Sequence, residues 1–210
     1  DFYGIFSKTN SNLKFSYSEN KEAYKFLFKI GIKKKQKFVC LIIRDSAYKN
    51  QYQNHLNAKW NLHNYRDVEI SSYSKTILFL INKGYFVIRM GKAAKSKIEI
   101  NHDCVYDYPF SKYKNDFLDI WLMNNCYFCI SSGTGLDQIT YAARKPVIQS
   151  NMVPTGHFQA DLFTIGIPKK FKYSNSNKFL NINQLIEKNI FFKVSSKLLE
   201  SLSLSIYYII

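Results

Sequence analysis

The stretch Cys126 to Asn151, CYFCISSGTGLDQITYAARKPVIQSN, constrains the fold of this chain more than any other. It opens with Tyr127-Phe128-Cys129-Ile130, an apolar run with the length and composition of a buried strand. Ser131-Ser132-Gly133-Thr134-Gly135 follows as a small, hydroxyl-rich turn. A helix is expected from Leu136 to Ala143, with Arg144-Lys145 placing positive charge at its end and Pro146 stopping it. Val147-Ile148 then begin another strand. Strand, glycine turn, helix and strand in so short a segment make a βαβ unit, with the turn facing the carboxyl end of a parallel sheet. Amides at the helix start, the positive end of its dipole and the hydroxyls would form a seat for a phosphate or carboxylate. The turn is not G-x-G-x-x-G and has no P-loop lysine, so neither dinucleotide nor NTPase chemistry is indicated. A glycine turn at this place also has a plain packing explanation.

The rest of the chain repeats the alternation. Residues 1 to 18 show no period and read as a connecting segment. Ser18 to Ile30 patterns as a helix capped by Ser18, with Tyr24, Leu27 and Phe28 as its apolar stripe and Gly31 as its stop. Phe38 to Ile43 is continuously apolar, as a central parallel strand buried on both faces should be. Arg44-Asp45-Ser46-Ala47-Tyr48 stand at its carboxyl end, where open α/β sheets bind ligands. Lys49 to Asp67 has no period, glycine or proline, and carries His55, Trp60, His63, Tyr65 and Arg66. So long a loop with aromatics is expected to be functional. Val68 to Lys83 patterns as a helix, Tyr85 to Ile88 as a second core strand followed by Arg89-Met90-Gly91, and Asp103 to Tyr106 as a short third strand. Helices are expected at Asn115 to Asn124, Asn183 to Asn189 and Ser195 to Ser203. The apolar end, Leu202 to Ile210, is expected to pack rather than hang free. Strands alternating with helices predict an α/β fold with a doubly wound parallel sheet, Rossmann-like. Residues 1–36 read as an N-terminal connecting segment and helix, and 37–210 as one lobe.

With 210 residues, 46% of them hydrophobic, the chain can bury a core of ordinary size. Its apolar runs fall far short of the roughly 20 residues of a membrane span. The formal net charge is +15, yet lysine is spread along the whole chain and only Lys33-Lys34-Lys35 is a run. Specific nucleic-acid binding is therefore not expected, while contact with anionic lipid headgroups at the inner face of a membrane stays open. Cys40, Cys104, Cys126 and Cys129 include one C-x-x-C inside a strand, with no second pair at zinc spacing, so buried thiols in a reducing cytoplasm are expected and no metal site. The start at Asp1 shows no signal peptide and reads as a domain excised from a longer protein.

Four strand ends converge on one rim, carrying Arg44-Asp45, Arg89, the Ser131–Gly135 turn and Asn151. Two arginine forks and a helix start facing one crevice suit a diphosphate. Ser131, Ser132 and Thr134 could complete the coordination, with Asp137 or Gln138 reaching a ribose. Asp137 in the first helical turn would repel a phosphate unless it points away, though as a helix-dipole partner it is unremarkable.

The pieces R-D-S-A-Y at Arg44–Tyr48, H-N-Y-R-D at His63–Asp67, K-G-Y-x-V-I-R-M-G at Lys83–Gly91, S-G-T-G-L at Ser132–Leu136 and K-P-V-x-x-x-N at Lys145–Asn151 together resemble bacterial glycosyltransferases of surface-carbohydrate biosynthesis, similar to the GT-B class. The resemblance runs from about Phe38 to Lys170. It implies a single GT-B-type donor-binding lobe whose crevice takes a nucleotide sugar, facing an amino-terminal acceptor lobe that is not evident in these residues. It further implies transfer to a glycan or lipid-linked acceptor, without a metal or any cofactor beyond the donor. Arg44 and Arg89 would contact the phosphates, with Tyr48, Arg66, Gly91, Gly133–Gly135 and Asn151 completing the binding set. Asp45 or His63 would be the base for the acceptor hydroxyl. On this reading Arg89→Ala abolishes donor binding, and Gly133→Val blocks the nucleotide without unfolding the domain. A sugar-nucleotide epimerase or hydrolase on the same scaffold, and a non-catalytic lobe binding carbohydrate or an anionic surface, are the alternatives.

Overall fold

Strands β1 (Phe38–Ile42), β2 (Phe86–Met90), β3 (Val105–Asp107), β4 (Cys129–Ser131), β5 (Val147–Met152) and β6 (Thr164–Pro168) form one sheet in the order β3-β2-β1-β4-β5-β6. Every pairing in it is parallel. This computed structural model describes residues 3–52, 64–159 and 161–207. The chain leaves β1 toward β2 and β3, then returns to pair β4 on the other side of β1. That reversal makes the β1/β4 boundary the switch point, beyond whose carboxyl ends a crevice opens.

All five residues of β1 are buried, because helices cover both faces of the sheet. Strand alternation sends Phe38, Cys40 and Ile42 toward α2 (Tyr17–Lys29) and α5 (Asp116–Asn125), where Phe26, Leu27, Trp121 and Leu122 complete the core. Val39, Leu41 and Ile43 face α4 (Ser74–Asn82) through Ile77 and Leu80, and the turn before it through Ile70. Helix α2 starts at a capping box. The Ser16 hydroxyl accepts from the Glu19 N–H, and the Glu19 carboxylate accepts from the Ser16 N–H at 2.7 Å. The cap is thus Ser16 rather than Ser18. Trp121 Nε1 donates to Asn20 Oδ1 at 3.0 Å, joining the amino-terminal helix to the core of the sheet. Before α2, among the described residues, lies the four-residue α1 (Ile5–Lys8).

Several elements differ from the sequence-based expectation. The helix predicted over Val68 to Lys83 begins late: Ile70–Tyr73 form a 3₁₀ turn and α4 starts at Ser74. Ala47–Tyr52 form a short α3 where a loop was expected. Strand β6 escaped notice because it lies at the sheet edge, carries Gly166 and buries none of its residues fully. Past it, β7 (Lys170–Tyr173) pairs antiparallel with β8 (Leu204–Tyr207). These strands, with α7 (Ile182–Glu187) and α8 (Ser196–Ser201), close a separate small core around Phe171, Leu185, Ile190 and Leu204. The apolar carboxyl end is therefore packed as a strand up to Tyr207. Cys40, Cys126 and Cys129 are buried free thiols. No helix among the described residues is long and apolar enough to cross a membrane.

Candidate functional site

At the carboxyl ends of β1, β2 and β4 lies a cavity of about 590 Å³. Parallel register aligns these ends: Ile42 pairs with Met90 on one side and with Ser131 on the other. The residues just past each strand therefore meet. Arg44, Asp45, Tyr48 and Lys49 come from the β1 side, Gly91 and Lys92 from β2, and Gly133, Thr134 and Gly135 from the turn after β4. Ile42, Ile43, Leu136 and Ile139 make an apolar wall, with Asp119 of α5 on the same lining. Of the residues expected at the site, Arg44, Asp45, Tyr48, Gly91, Gly133, Thr134 and Gly135 share this cavity. Thr134 Oγ1 and Asp119 Oδ1 are buried polar atoms without a hydrogen bond among the described residues.

The basic character of the site comes from side chains. Arg44 Nε pairs with Asp67 Oδ1 at 3.3 Å, and the Arg44 carbonyl accepts from the Val68 N–H at 3.0 Å. Arg66, on the same turn, is half-buried and is not among the residues that line the cavity. Burial lowers its pKa, and the charge of Arg44 lowers it further. Burial, then Arg44 and Arg66, lower that of Lys49, with Asp67 opposing. Lys169 lies beneath this group and is only 2% exposed. Four cations thus gather around the carboxylate of Asp67, whose own pKa is raised by burial, with the nearby Asp45 carboxylate adding, against the pull of Arg44. Sequence reasoning singled out Arg44 and Arg66 but missed Lys49 and Lys169. Lys49 could have been found as the last-turn base of a short helix opened by the Asp45 side chain, which accepts from the Ala47 N–H. Lys169 had no local signal.

The turn after β4 offers fewer free amides than expected of it. Helix α6 is only Gln138–Ala142, too short for a useful dipole. The Asp137 carboxylate, expected to reach a ribose, instead folds back into the turn and accepts from the Ser131 hydroxyl and from the Thr134 N–H at 3.1 Å. The Gly133 N–H is taken by Ser131 Oγ at 3.0 Å. Gln138 donates to Asp137 Oδ1 rather than facing a ligand. Ser132 Oγ accepts from the Arg44 N–H at 2.6 Å, tying the turn to the end of β1. Ser131, Ser132 and Asp137 are thus the internal frame of the turn, and burial raises the pKa of Asp137 against those hydrogen bonds.

Arg89 and Asn151 lie outside the cavity. Alternation along β2 sends Arg89 to the α4 face, beside Val87, where it is 1% exposed. Its guanidinium meets Asp45 Oδ2 and Asp107 Oδ1, each at 3.5 Å, and donates to the Ser96 carbonyl. Asp107 Oδ1 is at ion-pair distance but off the hydrogen-bond line, and burial raises the Asp107 pKa. Both oxygens of Asp45 are engaged, Oδ1 by the Ala47 N–H and Oδ2 by the Lys95 N–H and Arg89. That is the bonding of a structural carboxylate, which removes the ground for a base at Asp45. Asn151 is 1% exposed and donates to the Tyr73 hydroxyl at 3.0 Å. His63, the other candidate base, lies outside the described residues, as do His55 and Trp60. Among the described residues no group of three or more His, Cys, Asp or Glu is placed to hold a metal ion.

Sheet order, helical cover and a crevice at the switch point define an α/β protein of the Rossmann-like class. No family model matches the chain, and no curated protein matches it. Its fold is similar to that of E. coli ADP-heptose lps heptosyltransferase II, with a TM-score of 0.51 and 13% identity over 74% of this chain and 44% of that one. It is also similar to the dodecameric iron-containing heptosyltransferase TibC in complex with ADP-D-beta-D-heptose, with a TM-score of 0.38 and 17% identity over 70% of this chain and 33% of that one. The chain thus spans less than half the length of either, and the likeness concerns the fold alone.

Proposed function

We propose that the cavity binds the nucleoside diphosphate of an activated sugar and that the chain supplies the donor-binding lobe of a glycosyltransferase acting on a glycan or lipid-linked acceptor. One observation carries this reading: the cavity at the switch point has cations on one side and an apolar wall on the other. Arg44 and Lys49 face the diphosphate, where guanidinium forks and charge-assisted bonds are strongest. Ile42, Ile43, Leu136 and Ile139 pack against the base. The positive charge held at Arg44, Lys49 and Arg66 stabilises the departing diphosphate as the sugar–oxygen bond breaks. The fold likeness to a heptosyltransferase supports the same reading.

Isothermal titration with UDP, ADP, GDP and inorganic pyrophosphate tests it. One nucleoside diphosphate is expected to bind more tightly than pyrophosphate, because only it uses the apolar wall. Arg44→Ala is expected to weaken that binding at least tenfold, as loss of about 1.5–3 kcal/mol of hydrogen bonding to a charged group implies. Equal affinity for pyrophosphate and all three nucleotides would make the cavity a plain anion site. Unchanged affinity in Arg44→Ala would move the ligand elsewhere.

A further inference from the structure

The turn that carries Arg66 is held from several directions. The Val68 N–H donates to the Arg44 carbonyl, Asp67 pairs with Arg44, and the Tyr65 hydroxyl donates to the Val194 carbonyl at 2.9 Å. From beneath, Lys169 Nζ donates to the Tyr65 carbonyl at 2.9 Å and to the Asp67 carbonyl at 2.8 Å. These carbonyls belong to the residues on either side of Arg66. Lys169 itself follows β6, and its N–H donates to the Met152 carbonyl at 3.0 Å, so the ammonium rises from the framework of the sheet.

We propose that Lys169 is the positioning residue of the anion site: by gripping the carbonyls before and after Arg66, it holds that guanidinium beside Arg44 and Lys49 to form one three-cation clamp for a diphosphate. The proposal rests on the donor-site reading above and adds a residue that touches no ligand. The placement is costly for the fold alone. An ammonium is buried here near two arginines, and a neutral side chain of the same length would avoid that penalty. What the ammonium does at this place is fix a loop 102 positions away in sequence.

The charge on Lys169 is also near its tipping point. Burial, with Arg44 and Arg66 adding to it and Asp67 opposing, lowers its pKa to about 8. Those three charged groups and the carbonyls of Tyr65 and Asp67 surround it. Above that pH the ammonium is lost and its grip on the two carbonyls weakens, so affinity for the diphosphate falls over a range in which the diphosphate group itself is already fully ionised.

The test is a double-mutant cycle read by isothermal titration with the nucleoside diphosphate that wild-type protein prefers, together with melting temperatures. At pH 7.5, Lys169→Met and Arg66→Ala are each expected to weaken binding about tenfold, and the double variant no further than Arg66→Ala alone. The melting temperature of Lys169→Met is expected to stay equal or rise. Between pH 7.5 and 9.5 wild-type affinity is expected to fall severalfold while Lys169→Met stays flat, which separates Lys169 from Lys49. Wild-type affinity in a folded Lys169→Met, or fully additive losses in the double variant, would overturn the positioning role while leaving the donor site standing. Absence of nucleoside diphosphate binding by the wild type would overturn both.

Discussion

Arg89→Ala is expected to lower the melting temperature by roughly 6–12 °C while leaving the lining of the cavity unchanged. Removing one partner of a buried ion pair leaves an uncompensated charge and costs about 3–5 kcal/mol. Here Asp45 and Asp107 keep 11% and 18% side-chain exposure, which places the effect near the lower end. A chain of this length loses about 2–4 °C per kcal/mol. The pH dependence has a definite sign. Burial already raises the Asp107 pKa above its ordinary value, and Arg89 is one of the groups holding it down. Without the arginine the folded state binds that proton more tightly still, so the stability deficit grows as pH rises through the folded pKa and narrows in acid. Neutralising all three positions together, with Asp45→Asn, Arg89→Met and Asp107→Asn, is expected to recover most of the loss. An Arg89→Ala protein that melts like wild type but no longer binds nucleoside diphosphate would return Arg89 to the ligand and sink this account. Sequence-based reasoning expected that second outcome, because an arginine near the carboxyl end of a strand looks the same whichever face it takes.

Gly133→Val is expected to cost stability as well, roughly 2–6 kcal/mol from positive-φ strain of about 1–3 and overpacking of about 1–3. Gly133 sits at φ +81°, where a β-branched residue is a backbone outlier. A Cβ there would stand 2.5 Å from Met152 Sδ at the end of β5. Met152 is buried, though its thioether is flexible and can yield in part. Thermal melts of Gly133→Ala, Gly133→Val and Gly133→Val with Met152→Ala separate the two causes. The valine variant should melt lowest, and truncating Met152 should restore the packing share only. If Gly133→Val melts like wild type, the turn is softer than its geometry implies. A loss of nucleotide binding in this variant is informative only beside its melt, since the substitution disturbs the frame of the turn as well as the cavity wall.

Much of the fold was legible because its signals are local. Five consecutive apolar residues at Phe38–Ile42 are dictated by burial on both faces, and the sheet holds them so. Asn115 caps α5 by accepting the Leu118 N–H, three residues along. Elements with weak local signals went unseen: edge strand β6, and the β7–β8 pair, whose partners are some thirty positions apart. The cavity at the ends of β1, β2 and β4 was anticipated, as were seven residues that line it. Arg89 sat in plain view within the apolar run of β2. A charge in that setting must be buried and must find acids, but which acids depends on strand order.

The sequence by itself determined that strands and helices alternate, that the sheet is parallel, and that the strand ends near Arg44 and Gly133 share one rim. Apolar runs, caps and glycine turns act over a few residues, so they can be read without knowing the fold. Only the tertiary structure decided which polar groups face the cavity and which are consumed inside. Asp137 fills the turn that looked free, Asp45 and Asp107 take up Arg89, and Lys169 reaches a loop a hundred residues distant. A charge is available to a ligand only when nothing nearer satisfies it, and what lies nearer is set by packing, not by sequence distance.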